Sequence, residues 1–144
     1  MTRLWSDAMR TNPYLIFNGN CREAFEFYAG LFGGRIEAIS TFAGTPAESY
    51  VPPDWKDKIL HVELRYGDNV LFGSDAGDQN FQKAQGFGIA IVLDDIAEGE
   101  RLFNGLAEGG TVKMPFGATF WAKRFGMVDD RFGTPWMVNC GQPE

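Results

Sequence analysis

The chain has a single histidine, His61, among its 144 residues. That scarcity excludes any intrachain site built on two or more histidines, such as the two-His-one-carboxylate iron triad or the His₂Cys copper site. A Ser-His-Asp or Cys-His arrangement would have to use His61 itself. Cysteine is almost as scarce. Cys21 and Cys140 are too few for a disulfide framework, so a reducing, cytoplasmic setting is expected. No apolar run is long enough to cross a bilayer, and no signal-type apolar core opens the chain. Positive charge is in deficit, with 13 Lys+Arg against 19 Asp+Glu and a net charge of −6. With no basic run, nucleic acid and anionic membranes are not expected as partners.

Apolar and aromatic side chains are plentiful instead. Hydrophobic residues make up 44%, enough for a packed core in one compact domain or two closely joined modules. Thirteen Phe, four Tyr and four Trp, spaced by 18 Gly, suit a cavity lined by rings.

Residues 12–34, NPYLIFNGNCREAFEFYAGLFGG, read as strand, turn and helix. Tyr14 to Asn18 is short, apolar and β-prone. Asn20 is a candidate N-cap, with Glu23 placed to complete a capping box. Ala24, Phe25, Tyr28, Leu31 and Phe32 recur at helical spacing, and Gly33 and Gly34 offer the left-handed stop. The pattern predicts a helix near 21–32. The same unit returns at 87–112, FGIAIVLDDIAEGERLFNGLAEGGTV, where Asp95 is the cap and Glu98 follows three places on. That predicts a helix near 96–108. Phe17 aligns with Leu93, Tyr28 with Phe103 and Gly33 with Gly109, at shifts of 75 or 76 residues. A shift near half the chain length indicates internal duplication.

Strand material alone follows each helix. After the first come Ile36–Phe42, Ile59–Tyr66 and Val70–Ser74; after the second come Thr111–Met114, Thr119–Val128 and Pro135–Cys140. Each half therefore reads β-α-β-β-β. The expected boundaries are an extension over 1–11, a first module over 12–76, a linker over 77–85 and a second module over 86–144. The Pro-rich stretch 44–56 is expected as a lid or an edge loop.

This doubled module resembles the vicinal oxygen chelate (glyoxalase/bleomycin resistance protein/dihydroxybiphenyl dioxygenase) superfamily, and within it the PhnB-like family. The resemblance rests on NPYLIFNGNCREAFEFYAGLFGG, DKILHVELRYGDNVLFGSD, LDDIAEGERLFNGLAEGG and TFWAKRFGMVDDRFGTPWMVNC, and covers about 12–140. It implies an α+β fold of two tandem modules, with curved mixed sheets enclosing a cavity and helices outside. It also implies a homodimer. By the same resemblance Met9 would be a natural start and MTRLWSDA an extension. Members often carry a demethylubiquinone methyltransferase label. That label is not expected to describe the chemistry, because GNCREA opens a helix without a GxGxxG run.

The superfamily's metal ligands would fall on Pro13, Phe72, Gly88 and Met137, none of them a usable hard or borderline ligand. No metal and no cofactor are therefore expected. The alternative is a metal-dependent lyase, isomerase or dioxygenase with displaced ligands, in which His61 would act with Glu63 or Asp75. A purely structural dimer is a third reading.

In ILHVELRY, Leu60, Val62, Leu64 and Tyr66 alternate with His61, Glu63 and Arg65. Two readings fit the polar row. It is a solvated strand face, or it lines the cavity, where His61 and Glu63 are the candidates for acid–base work. Cys21, in the first helical turn, is either a reactive thiol favoured by the helix dipole or a plain small residue. In TFWAKRFG, Trp121 and Phe125 either stack on a ligand or pack in a core or dimer interface. The expected ligand site comprises Leu15, Phe17, His61, Glu63, Phe72, Ser74, Trp121, Phe125 and Met137. It would bind a small hydrophobic or aromatic molecule.

Overall fold

The computed structural model describes residues 8–77 and 81–143. Residues 1–7 of the expected extension, 78–80 of the expected linker and Glu144 lie outside the described residues. The chain divides into two compact units, one ending at Phe81 and the other beginning at Gln82.

The first unit runs β1 (Tyr14–Phe17), α1 (Cys21–Phe32), β2 (Arg35–Thr41), two short 3₁₀ turns (Pro46–Tyr50 and Pro53–Trp55), β3 (Ile59–Tyr66) and β4 (Asn69–Asp75). The second runs β5 (Ile89–Leu93), α2 (Ile96–Ala107), β6 (Thr111–Gly117), β7 (Arg124–Asp129) and β8 (Pro135–Cys140). The sheet orders are β1-β4-β3-β2 and β5-β8-β7-β6, so the units share one topology. The first strand of each runs parallel to the last, and the other pairs are antiparallel. This is an α+β architecture of two mixed-sheet modules.

Each helix lies on one face of its own sheet. Ala24, Phe25 and Tyr28 of α1 are fully buried, as are Val62 and Leu64 beneath them. Burying each such large side chain contributes roughly 1.5–3 kcal/mol. Gly73 lets the helix come this close, because a Cβ there would overlap the ring of Phe25. In the second unit Gly126 plays that part, since a Cβ would lie 2.5 Å from Phe103 Cε1. Gly33 closes α1 in the left-handed region at φ 67°, as its position predicts.

Four expectations are corrected. Asn20 makes no side-chain capping bond. Asp75, from the end of β4, caps α1 instead: its Oδ1 accepts from the backbone N–H of Gly19 at 2.9 Å and of Cys21 at 3.0 Å. Asp95 does cap α2, accepting from the Glu98 N–H at 3.2 Å.

The strand expected over 119–128 begins only at Arg124. Thr119 Oγ1 accepts from the N–H groups of Trp121 and Ala122, folding 119–122 into a local turn. A side chain that satisfies two backbone donors locally outcompetes ladder pairing. Phe120 to Lys123 therefore lack the alternating faces of a strand. Conversely β6 runs to Gly117, through Pro115, which the edge position of that strand permits.

Leu60 also departs from the expected apolar row. Ser40 pairs with His61 and Thr41 with Ile59, a bulge that leaves Leu60 half-buried and puts Ile59 in the core.

Candidate functional site

Period-two alternation gives the first sheet one face under α1 and one face away from it. Leu15, Phe17, Val62, Leu64, Leu71 and Gly73 face the helix. Tyr14, Ile16, His61, Glu63, Phe72 and Ser74 face away. Leu15 and Phe17 were expected to line a ligand cavity and do not. They are 5% and 3% exposed, and the Phe17 ring meets Phe25 of α1 edge-on. Phe17 is apolar throughout, and burial against a helix returns more than a partly wet site. Tyr14 and Ile16 take the other face, 46% and 43% exposed.

That shift brings Tyr14 to the one histidine. Tyr14 Oη lies 3.1 Å from His61 Nδ1, and His61 Nε2 lies 3.1 Å from Glu63 Oε1. A carboxylate only accepts, so the imidazole Nε2–H donates to Glu63. With the ring in that tautomer and neutral, Nδ1 is its acceptor and the Tyr14 hydroxyl donates to it. His61 and Glu63 are half-buried, while Phe72 completes an aromatic patch. The ring centroids are 6.0 Å apart for Tyr14–Phe72, 5.5 Å for His61–Phe72 and 5.7 Å for Tyr14–His61. The register supports the cluster: Tyr14 pairs with Phe72, which pairs with Glu63.

Tyr14 was missed as a site residue. Its signal was the hydroxyl itself: among the four residues of β1 only Tyr14 carries a polar group that a buried position would have to satisfy.

Ser74 lies one step beyond the Val62–Gly73 pair and also borders a cavity of about 730 Å³. Phe42, Tyr50, Trp55 and Leu60 are among its other lining residues, so the loop at 44–56 forms one of its walls.

Farther along the face, Arg65 and Arg35 both approach Glu37, with N–O distances of 3.3 and 3.0 Å. The Arg35 hydrogen bond and the Arg65 charge hold the Glu37 carboxyl below its ordinary range.

In the second unit, Gly126 points at α2, so Phe125 and Met127 face away from it. Met137 pairs with Met127 and shares that face. Trp121 lies on the preceding turn, with its ring 5.2 Å from Phe125 in an edge contact.

Asp75 is unavailable to any metal beside His61. It is buried on the helix side, and its Oδ2 accepts from the Ile59 N–H at 2.9 Å while Oδ1 caps α1. The superfamily's ligand positions do not fit a cation either. Phe72 presents a ring within the aromatic patch, and a Cβ on Gly88 would meet the Met137 methyl at 3.1 Å. Pro13 has no side-chain donor, and its carbonyl accepts from the Phe72 N–H at 3.0 Å. Among the described residues no three His, Cys, Asp or Glu side chains converge.

Cys21 is buried, and its thiol is pushed up far above its ordinary range, first by burial and then by the neighbouring Asp75 carboxylate. These effects outweigh the helix dipole, so the reactive-thiol reading is not supported. Cys140 is raised by burial and by Asp95 and Asp94. Neither thiol is expected to react with a disulfide reagent at neutral pH within minutes, whereas both should react at once in denaturant. Rapid labelling of Cys21 in the folded protein would contradict this assignment.

A family model described as 3-demethylubiquinone-9 3-methyltransferase matches residues 9–139. Protein YjdN of Escherichia coli (strain K12) is 32% identical over 141 residues, covering 91% of this chain and 95% of that protein. The crystal structure of protein PA1353 from Pseudomonas aeruginosa is 51% identical with a TM-score of 0.85, over 94% of this chain and 99% of that one. A PhnB protein from Bacillus cereus has the same fold at 23% identity, with a TM-score of 0.79 over 92% of this chain and 100% of that one. At 12% and 15% identity the fold extends to proteins of the fosfomycin-resistance and glyoxalase/bleomycin-resistance kinds, with TM-scores of 0.64 and 0.60.

Proposed function

The chain belongs to the family described as 3-demethylubiquinone-9 3-methyltransferase, and on that premise we propose that it is a PhnB-like protein of the glyoxalase/bleomycin resistance type that binds a small hydrophobic or aromatic molecule without a metal. The observation that carries this reading is the helix-free face of the first sheet. It sets the hydrogen-bonded chain Tyr14–His61–Glu63 among the rings of Tyr14 and Phe72. Apolar surface supplies most of the affinity there, and the polar chain orients one group of the ligand. The neighbouring cavity bordered by Ser74 has the size of a small organic molecule.

Methyl transfer from a nucleotide-type donor is not part of the proposal. The turn before α1, where a dinucleotide-type fold would cradle its ligand, already spends its Gly19 and Cys21 N–H groups on Asp75.

Calorimetric titration with a panel of aromatic compounds tests the reading. Phe72→Ala is expected to weaken a bound aromatic compound by about 1–3 kcal/mol, the scale of one large apolar side chain. If no compound in the panel binds, or if Phe72→Ala leaves every affinity unchanged, the face is not the binding site.

The expected assembly is a cytoplasmic homodimer, favoured by exposed apolar side chains such as Val92 at 73% and Val112 at 44%. Among the described residues no helix is long and apolar enough to cross a membrane. Sedimentation should return twice the chain mass of 16.0 kDa; a monomer at micromolar concentration would contradict it.

A further inference from the structure

The Tyr14–His61–Glu63 chain has a direction. Glu63 can only accept, so it orients His61 through Nε2, and His61 is left as a base toward Tyr14. A reactive oxygen, a base within hydrogen-bond reach and a third group that orients the base are the parts of an activated hydroxyl. In the neutral tautomer that Glu63 favours, the Tyr14 hydroxyl donates to His61 Nδ1. Its oxygen therefore meets a ligand as an acceptor, and what it accepts best is an acidic O–H.

The surroundings narrow the class further. Tyr14, His61 and Phe72 have centroids within 6.0 Å of one another, a patch on which a planar ring can stack. Farther along this face, Arg35 and Arg65 lie 3.0 and 3.3 Å from the Glu37 carboxylate.

Resting on the binding proposed above, the geometry points to a site for phenols: a planar aromatic compound whose weakly acidic hydroxyl donates to Tyr14 and passes its proton into the Tyr14–His61–Glu63 relay. The ligand O–H bond breaks as its proton moves to Tyr14 Oη. The Tyr14 O–H bond breaks as that proton moves to His61 Nδ1. The ligand becomes an aryloxide, and the imidazolium stays paired with the Glu63 carboxylate. Total charge is unchanged, and no electron pair leaves the system. His61 and Glu63 act through Tyr14, so they are positioning residues for the transfer.

4-Nitrophenol is the probe, because only its ionised form is yellow. The full chain is titrated into it on the acid side of the free phenol's own midpoint, with calorimetry run in parallel. The expected result is a nitrophenolate band that grows and saturates with binding. Tyr14→Phe and His61→Gln should lose the band while calorimetry still shows the compound bound, since the ring patch is largely kept. 4-Nitroanisole, which has no O–H, should bind about tenfold more weakly, the order expected for one lost hydrogen bond to a polar group. Bound 4-nitrophenol with no band, a band that survives both substitutions, or equal binding of 4-nitroanisole each overturns the relay while leaving ligand binding in place. Failure of both compounds to bind overturns the relay and counts against the binding reading itself.

Discussion

Asp75→Ala is expected to destabilise the first unit by about 3–5 kcal/mol in urea unfolding, the scale of stranding several buried donors at once. One buried carboxylate accepts three backbone N–H groups, from Gly19, Cys21 and Ile59. It thereby ties the end of β4 to the start of α1 and the start of β3. Alanine leaves those donors without their acceptor where Cys21 and Ile59 are fully buried. Asp75→Asn keeps one acceptor oxygen and turns the other end into a donor that opposes an N–H. Its loss should be intermediate, about 1–3 kcal/mol. An Asp75→Ala protein that unfolds within about 1 kcal/mol of the parent would show that the junction is held by packing alone.

The second large effect is expected at Asp130. Its Oδ1 accepts from the N–H of Phe132 at 2.9 Å and of Thr134 at 3.0 Å, and its Oδ2 from Trp136 Nε1 at 2.8 Å. Trp136 is the largest fully buried side chain described. Asp130→Ala should cost about 3 kcal/mol, through the turn between β7 and β8 and through the stranded indole N–H. A double-mutant cycle separates the two contributions. Trp136→Phe removes the indole donor, so the cost of Asp130→Ala should be smaller in that background by roughly 1–2 kcal/mol. Strictly additive losses would mean that the indole bond contributes nothing beyond burial.

Both carboxylates show where reading along the chain stops. Asp95 caps the helix that follows it, and its role was visible from the three-residue spacing to Glu98. Asn20 has the same spacing to Glu23, yet its backbone sits at φ −115° and ψ 23°, outside the extended region a cap adopts. The start of α1 is tied instead to Asp75, more than fifty residues away along the chain, through the N–H groups of Gly19 and Cys21. A local motif competes with every polar group the fold brings near, and only the folded chain reveals that competitor. The turn at 119–122 is the reverse case. There the strand-like pattern of TFWAKRFG yields to the nearby Thr119 hydroxyl.

Sequence alone determined the two-module order, the helix at Cys21–Phe32 and the existence of a polar row holding His61 and Glu63. Those features depend on periodicity, on stop signals such as Gly33 and on a repeat that spans half the chain. Their information is local or is copied in the second module. The tertiary structure decided which face of β1 is buried. A strand of four residues, YLIF, alternates equally well in either phase. The choice between Leu15 with Phe17 and Tyr14 with Ile16 depends on which set meets α1 across the sheet. Burying the purely apolar set costs no unsatisfied hydroxyl, so Phe17 goes under the helix and Tyr14 comes to His61. The site's third member was thus set by a packing preference that acts between elements, where no single stretch of sequence records it.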